Sequence, residues 1–223
     1  MARLDRDTST SESAYNRIIG AFESGQTDIL VGTQMITKGF DFANVSLVGI
    51  LNADNLMLSP DFRASERAFQ LLTQVAGRAG RRERCGEVVI QTSEADNPVL
   101  KWVCSGDYEA MARRELAERE AFGYPPYSRL VALTFRSADA PLLRHAAATL
   151  AKRLRERFGG RVFGPVEPYV NRVRGEWIVQ ILLKIEHRSS VAKAKNILRT
   201  LLSEMDEVAE WRKIKIVVDV DPQ

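Results

Sequence analysis

Short apolar runs and amphipathic stretches alternate through the first hundred residues of the chain. The runs at 29–32, 47–51 and 88–90 contain only apolar residues and glycine, which is typical of strands buried on both faces of a parallel sheet. A helical pattern at 65–76 separates the last two runs, and the hydroxyl residues at 8–11 offer N-caps for an earlier helix. The pattern therefore predicts an α/β lobe built on a parallel sheet.

A different pattern follows a helical stretch in the middle of the chain. Asn97-Pro98 is a favourable helix start, and a second helical pattern at 107–122 ends at Gly123-Tyr124-Pro125-Pro126. The remaining elements have the order β-α-β-β-α-β, which is typical of a ferredoxin-like domain. They are a strand at 129–136, a helix at 141–158, strands at 161–170 and 176–186, a helix at 189–206 and a strand at 213–219.

These patterns predict three regions. A parallel-sheet lobe occupies 1–105, a helical bridge 106–128, and an α+β, ferredoxin-like domain 129–223, with residues 171–175 as the turn between its two middle strands. The chain has 223 residues, of which 45% are hydrophobic, so it is long enough to bury two cores.

Composition narrows the class of protein. No stretch approaches the roughly 20 uninterrupted apolar residues of a membrane span, and the first seven residues are charged where a signal peptide is apolar. We therefore expect a cytoplasmic protein without a membrane partner. Cys85 and Cys104 stand alone without C-x-x-C spacing, so we expect neither a metal site nor a disulfide framework.

Charge is distributed unevenly between the two halves. Residues 1–100 carry 10 Lys and Arg against 13 Asp and Glu, whereas residues 101–223 carry 22 against 16. The second half therefore holds an excess of positive charge, which suits contact with nucleic acid, although a solvated helix surface explains such an excess equally well.

The run Gln74-Val75-Ala76-Gly77-Arg78-Ala79-Gly80-Arg81 carries the strongest chemical signal. Two arginines lie three residues apart, and each follows a glycine. Guanidinium forks bind phosphate oxygens bidentately, and glycine lets a ligand approach the backbone closely. The run has the form Q-x-x-G-R-x-G-R, which is typical of superfamily 2 helicases and translocases. The alternative is a glycine-rich, basic helix exit whose charges are only solvated.

A second segment with suitable chemistry follows the strand at 29–32. Thr33 lies at the carboxyl end of that strand, where α/β sheets bind ligands. Its hydroxyl suits a nucleic-acid phosphate, Lys38 adds charge, and Asp41 suits a ribose hydroxyl. Taken one by one, these residues also suit a strand-end cap, a solvated charge and a turn.

The chain resembles the PriA family of replication-restart helicases over almost its whole length. The segments that carry the resemblance are Leu4-Asp5-Arg6-Asp7-Thr8, Gly32-Thr33-Gln34-Met35 with Lys38-Gly39, Asp61-Phe62-Arg63-Ala64 with Glu66-Arg67, the run 71–81, Gly86-Glu87-Val88-Val89, Tyr124-Pro125-Pro126-Tyr127, Phe163-Gly164-Pro165 and Asp219-Val220-Asp221-Pro222.

The resemblance implies an ATP-dependent 3′-to-5′ DNA helicase that recognises stalled forks and starts primosome assembly. It implies a RecA-like fold for the first lobe of this chain, with branched and single-stranded DNA, primosome proteins and single-stranded DNA-binding protein as partners. The implied site residues are Arg78 and Arg81 as arginine fingers, Gly39, Asp41 and Gln74 toward the nucleotide, and Thr33, Gln34 and Lys38 toward the translocated strand.

The chain also departs from that family. Ala43 stands where members often have proline, which leaves the contact between Asp41 and ribose open. No G-x-x-x-x-G-K-[ST] loop, acidic D-E-x-H box or set of zinc-binding cysteine pairs occurs. The resemblance therefore implies that ATP and Mg²⁺ are bound mainly by another lobe, that zinc has no ligands in this chain, and that these residues alone do not hydrolyse ATP. The alternative is a nucleic-acid-binding or protein-docking module without catalysis.

One further candidate lies in the C-terminal domain. Arg172 and Arg174 lie in the expected turn beside Trp177, so two cations and an aromatic face are available to DNA or a partner. A solvated turn is the alternative. The basic end of the helix at 141–158 has a simpler explanation, because cations favour helix C-termini.

Overall fold

The computed structural model divides the chain into two units, Met1–Glu115 and Leu116–Gln223. It describes residues 1–5, 11–33, 45–77, 79, 86–187 and 189–222. The division falls within a single helix, α5 (Tyr108–Phe122).

Parallel strand pairs and helices build the first unit. Its elements are β1 (Ala2–Leu4), α1 (Glu12–Glu23), β2 (Leu30–Gly32), β3 (Leu47–Ile50), α2 (Asp54–Met57), α3 (Ala64–Ala76), β4 (Glu87–Ile90) and α4 (Pro98–Ser105). Strand β1 pairs with β2, and β3 pairs with β4, both in parallel. Parallel neighbours of this kind require a crossover between them, which the intervening helices provide.

Side-chain caps fix the starts of two helices in this unit. The Ser11 hydroxyl accepts a hydrogen bond from the Ala14 backbone N–H at 3.2 Å, and α1 begins at the next residue. The Asn97 side chain accepts from the Val99 N–H at 3.0 Å, with Pro98 in the first turn of α4. Each cap satisfies an N–H that has no partner inside the helix.

The four-residue helix α2 was not predicted from the sequence. Its N-cap, Ala53, makes no side-chain capping bond, and four residues are too few to show a periodic pattern. Buried Met57 belongs to the same core cluster as Phe69 and Leu72 of α3, and its burial there stabilises the turn. Tertiary packing therefore decides this element.

An antiparallel sheet with two helices forms the second unit. Its elements are β5 (Ser128–Ser137), α6 (Ala140–Phe158), β6 (Val162–Val166), β7 (Arg172–Val173), β8 (Glu176–Glu186), α7 (Val191–Glu207) and β9 (Lys215–Val220). The strand order is β6-β8-β5-β9, with β7 beside β8, and every pair is antiparallel.

The core of this unit lies between the sheet and its helices. Alternate residues of the central strands are fully buried, as in Leu133 of β5 and Leu183 of β8, and Leu150 and Leu154 of α6 are buried with them. A side chain of that size contributes about 1.5–3 kcal/mol when fully buried. The two long central strands and α6 therefore supply a large part of the apolar burial that stabilises this unit.

Strand β6 is shorter than the sequence pattern predicted. The expected strand at 161–170 ends at Val166, and its register shifts between Phe163 and Val166. Pro165 has no N–H to donate to the ladder. Gly164 has φ +90°, and a Cβ added there would lie 2.7 Å from the Gln180 carbonyl oxygen. The ladder between β6 and β8 is therefore irregular around Gly164 and resumes at Val166, which pairs with Gln180.

The turn predicted at 171–175 is also tighter than expected. Arg172 and Val173 form strand β7, which pairs with Trp177 and Glu176, so the loop contains only Arg174 and Gly175. Both loop residues have positive φ, +50° and +85°, as a type I′ hairpin turn requires.

The C-terminal residues are tied to the start of the sheet. A carboxylate oxygen of Asp221 accepts a hydrogen bond from the Leu130 N–H at 2.9 Å, and the Asp221 N–H donates to the Leu130 carbonyl at 2.8 Å.

Among the described residues, no helix combines the length and apolar character of a membrane span.

Candidate functional site

The carboxyl ends of β3 and β4 are joined by a hydrogen-bond network around Asp54. Its carboxylate accepts from the Thr92 hydroxyl at 2.5 Å, from the Ser93 N–H at 2.9 Å and from the Ser93 hydroxyl at 2.7 Å. These three donors hold the pKa of Asp54 below its usual range, the Thr92 hydroxyl having the largest effect. The charged carboxylate therefore fixes the two strand exits relative to each other.

The segments that directly follow β3 and β4 are also hydrogen-bonded to each other beside this network. The Ala53 N–H donates to the Gln91 carbonyl at 3.0 Å, and the Asn52 N–H donates to the Gln91 side chain at 3.3 Å. Sequence reasoning missed this network. Its signal is that polar residues follow both apolar runs directly, at the edge where α/β sheets place functional groups.

A second carboxylate organises the start of α3. Asp61 accepts the Arg63 N–H at 3.0 Å through one oxygen and binds the Arg67 guanidinium at 2.7 Å through the other. These residues belong to the segment that carried the family resemblance. Helix α3 thus begins from a fixed turn, and its last turns present Gln74 to solvent.

Only two of the predicted site residues in the first unit, Thr33 and Gln74, lie in the described part of the chain. Thr33 is exposed directly after β2, and Gln74 is exposed on α3; within the described ranges, no hydrogen bond joins them. Six further predicted residues lie outside the described part of the chain, namely Gln34, Lys38, Gly39, Asp41, Arg78 and Arg81.

The two predicted arginines of the second unit are both described and both exposed. They belong to the β7–β8 hairpin, which we define as residues 167–177. The Arg172 guanidinium lies 5.0 Å from the centre of the Trp177 ring, and that of Arg144 on α6 lies 5.9 Å from it. Trp177 packs against the core of the unit. The hairpin therefore brings a cluster of cations and an aromatic ring together.

Arg174 occupies an unusual backbone position in this hairpin. Asn, Asp or Gly is the normal residue at the first position of a type I′ turn. Arginine at φ +50° costs about 1–2 kcal/mol in backbone strain. The strained position presents its charge at the tip of the hairpin.

Polar contacts around Glu167 hold the first residues of the hairpin in place. The Glu167 carboxylate accepts from the Arg144 guanidinium at 2.7 Å and from the Asn171 side-chain amide at 2.9 Å. These two bonds keep the pKa of Glu167 below its usual range, and the bond from Arg144 has the larger effect. The Asn171 carbonyl also accepts from the Ile178 N–H at 2.8 Å. Glu167 thus remains charged and neutralises Arg144 rather than the exposed arginines.

Lys184 has a structural role in the same unit. Its ammonium lies 3.6 Å from the centre of the Tyr124 ring and 4.8 Å from that of Phe163, and it donates to the Phe122 carbonyl at 2.8 Å. Partial burial lowers the pKa of Lys184. These contacts hold the end of α5 and the segment that follows it against the C-terminal part of β8.

Metal chemistry finds no support in the described ranges. They contain no group of three or more His, Cys, Asp or Glu side chains that is arranged to hold a metal ion. Cys104 is a free, exposed thiol, whereas Cys85 lies among the residues that are not described.

Comparisons with known proteins agree with the division into two units. Residues 2–83 match the model of the helicase conserved C-terminal domain, and residues 120–223 match that of the primosomal protein N C-terminal domain.

Curated relatives match the whole chain. The replication restart protein PriA of Bacillus subtilis (strain 168) is 35% identical over 222 residues, which are 99% of this chain and 27% of that protein. The PriA proteins of Treponema pallidum (strain Nichols) and Haemophilus influenzae (strain ATCC 51907 / DSM 11121 / KW20 / Rd) are 39% and 33% identical over 100% of the chain. The chain spans about 27–33% of the length of these relatives.

Proposed function

Because the chain belongs to the family of PriA replication restart proteins, we propose that it supplies one lobe and the C-terminal domain of an ATP-dependent 3′-to-5′ DNA helicase. In this proposal the complete enzyme acts in the cytoplasm, restarts stalled replication forks and initiates primosome assembly. The observation that carries it is the run Gln74–Arg81, which lies inside the region that matches the helicase domain.

The first unit has the role of the second RecA-like lobe in this proposal. Parallel pairing of β1 with β2 and of β3 with β4 supports that fold. The residues expected to face the nucleotide are Gly39, Asp41, Gln74, Arg78 and Arg81. Arginine forks that follow glycines have suitable donors for a triphosphate, so the chemistry of this segment fits ATP, whereas Mg²⁺ requires carboxylates from another lobe.

The two arginines act late in the proposed catalytic cycle. Fingers of this kind stabilise negative charge on the transferring phosphoryl group only when the two lobes close, and they contribute about 10³–10⁵ in rate. This chain has no phosphate-binding loop of its own. We therefore propose that the 223 residues alone do not hydrolyse ATP.

The second unit has the role of a ferredoxin-like domain that binds DNA and docks partners. The strand order β6-β8-β5-β9, with every pair antiparallel, supports that fold. Arg172 and Arg174 support contact with DNA phosphates, because both are exposed on the hairpin. In the first unit, Thr33, Gln34 and Lys38 contact the translocated strand. Primosome proteins and single-stranded DNA-binding protein are the proposed protein partners.

Reconstitution tests this proposal. The purified chain is assayed for ATP hydrolysis with single-stranded DNA, alone and after addition of the preceding N-terminal region of a family member. We expect turnover only in the mixture, and we expect Arg81→Ala in the chain to abolish it. Turnover by the chain alone would contradict the proposal. DNA binding without turnover in any mixture would instead favour a docking module without catalysis.

A further inference from the structure

Among the described residues of the second unit, Tyr169 is the most exposed large hydrophobic side chain. It lies between β6 and β7 and has a relative exposure of 102%, the value for a residue with no neighbour over its ring. Tyrosine carries a large apolar face, which is costly to leave in water. Its neighbour Val170 is also exposed, at 59%. The ring is therefore available to a partner.

The chain on either side of Tyr169 is held in place. Two residues before it, Glu167 is bound by Arg144 and Asn171; two residues after it, Asn171 is also bonded through its carbonyl to the Ile178 N–H. The hairpin then continues into paired strands. A ring presented from a fixed loop loses less conformational freedom on binding than one on a mobile loop.

Two cations lie close to the ring in sequence. Arg172 and Arg174 follow it by three and five residues, and Arg174 makes no ion pair within the described part of the chain. The acidic groups of the hairpin are Glu167, which Arg144 neutralises, and Glu176, which is half-buried beside the turn. The two exposed arginines outnumber Glu176, so the hairpin carries net positive charge within three to five residues of one exposed aromatic ring.

We propose that Tyr169 stacks on an unpaired base while Arg172 and Arg174 bind the phosphates of the same single strand. An aromatic face beside cations is the usual combination for single-stranded DNA, because every base has a π-face. A base inside a duplex is already stacked on its neighbours and offers this ring only an edge. The hairpin therefore distinguishes single-stranded from double-stranded DNA, which phosphate contacts alone do not do.

This inference rests on the proposed function, since it assumes that the hairpin contacts DNA. Tyr169→Ala in the 223-residue chain is compared with wild type on three fluorescent probes. The first is a single strand of about 12 nucleotides, a length typical of one binding domain. The second is the blunt duplex of the same sequence, and the third is a strand of equal length that carries no bases.

The expected result is a loss confined to the probe with accessible bases. Tyr169→Ala should weaken binding to the single strand about 5- to 150-fold, which corresponds to the usual range for one base stacked on an aromatic ring. Affinity for the duplex and for the base-free strand should stay within about twofold. Tyr169→Phe and Tyr169→Trp should bind the single strand like wild type, and Tyr169→Leu should not.

Two results would overturn the inference without touching the proposed function. One is single-strand binding by Tyr169→Ala equal to that of wild type, while Arg172→Ala/Arg174→Ala weakens it. The other is an equal loss on all three probes, which would mean that the ring supports the hairpin rather than stacking. If the arginine variant also binds every probe like wild type, the proposed DNA contact of the hairpin fails as well.

Discussion

The Arg172 guanidinium lies 5.0 Å from the centre of the Trp177 ring, and the two residues are directly opposite each other in the β7–β8 ladder. A cation over an aromatic face at an exposed site contributes about 0.5–1 kcal/mol. The contact also limits the rotamers of a long side chain. Arg172 therefore loses less conformational freedom than a free surface arginine when its remaining N–H groups bind a phosphate.

Replacing both hairpin arginines should change the salt dependence of DNA binding. Arg172→Ala/Arg174→Ala removes two proposed phosphate contacts, and each contact contributes about 0.9 to the slope of log affinity against log salt on duplex DNA. We expect weaker binding to forked DNA and a slope smaller by about 1.8. Fluorescence anisotropy at a series of salt concentrations measures both quantities.

A matched control separates this effect from a general loss of charge. Lys195→Ala/Arg199→Ala also removes two cations, both exposed on α7, and should leave the slope unchanged. If the hairpin variant keeps the affinity and slope of wild type, the hairpin is only a turn. Equal effects of the two variants would assign the binding to net charge rather than to this surface.

Arg81→Ala should separate ATP hydrolysis from DNA binding in the complete enzyme. The arginine is proposed to act on charge that develops during phosphoryl transfer, so its loss should lower DNA-stimulated turnover about 10³–10⁵-fold. DNA affinity should remain within about twofold, because the proposed contacts with DNA come from other residues. Steady-state ATPase and binding assays on the same preparation provide the measurement. Normal turnover would remove Arg81 from the site.

Asp54→Asn should alter the acid sensitivity of the first unit. Hydrogen bonds from Thr92 and Ser93 lower the pKa of Asp54 from its ordinary value of 3.8. The ionised carboxylate therefore stabilises the folded state above about pH 4, and this contribution is lost as pH falls through the depressed pKa. We expect the variant to unfold at lower urea concentration than wild type at pH 7, with the two midpoints converging at low pH.

An exposed carboxylate provides the comparison for that experiment. Asp28 makes no hydrogen bond through its side chain to another described residue, and Asp28→Asn should give the wild-type urea midpoint at both pH values. Thr92→Val, which removes one donor while keeping the shape of the side chain, should reproduce part of the Asp54→Asn effect. A midpoint difference for Asp54→Asn that is independent of pH would contradict a role for its charge.

Asp221 should prove important for the stability of the second unit. Its carboxylate accepts the Leu130 N–H, and its φ is +52°. Asp221→Ala leaves the buried Leu130 N–H without its acceptor and keeps the backbone strain that Asp221 already has, so we expect a loss of about 2 kcal/mol. Asp221→Gly relieves the backbone strain and should lose about 1 kcal/mol, and Asp221→Asn, which keeps an acceptor, less than either. Urea denaturation of the three variants tests this order.

Sequence reasoning predicted the elements whose determinants are local. The hydroxyl residues at 8–11 and Asn97-Pro98 indicated two helix starts that the structure confirms, with Ser11 as the first cap, and the strands expected at 129–136 and 176–186 match β5 and β8 to within a residue. These signals depend on residues within one or two turns of each other. The mixed α and β content expected for a helicase C-terminal region followed by a further domain is also observed.

The features that were missed depend on residues far apart in the chain. Asp54 accepts hydrogen bonds from Thr92 and Ser93, which are 38 and 39 residues away. No local sequence pattern predicts a partner at that separation. Likewise, Tyr169 is exposed after the early end of β6, a strand whose register shift depends on its pairing with β8. For the site, the residue types of the Gln74–Arg81 run indicate phosphate chemistry, and both this chemistry and the roles of Arg78 and Arg81 stay predictions.

The Asp221 contact has a consequence for how the protein is made. Leu130 and Asp221 are 91 residues apart, and at a synthesis rate of 5–20 residues per second about 5–18 s separate their emergence from the ribosome. Strand β8 reaches β5 earlier in this interval, so one side of β5 is paired while the other waits for β9. The nascent second unit therefore exposes an open strand edge during translation, when a chaperone or a neighbouring nascent chain has its best opportunity to bind it.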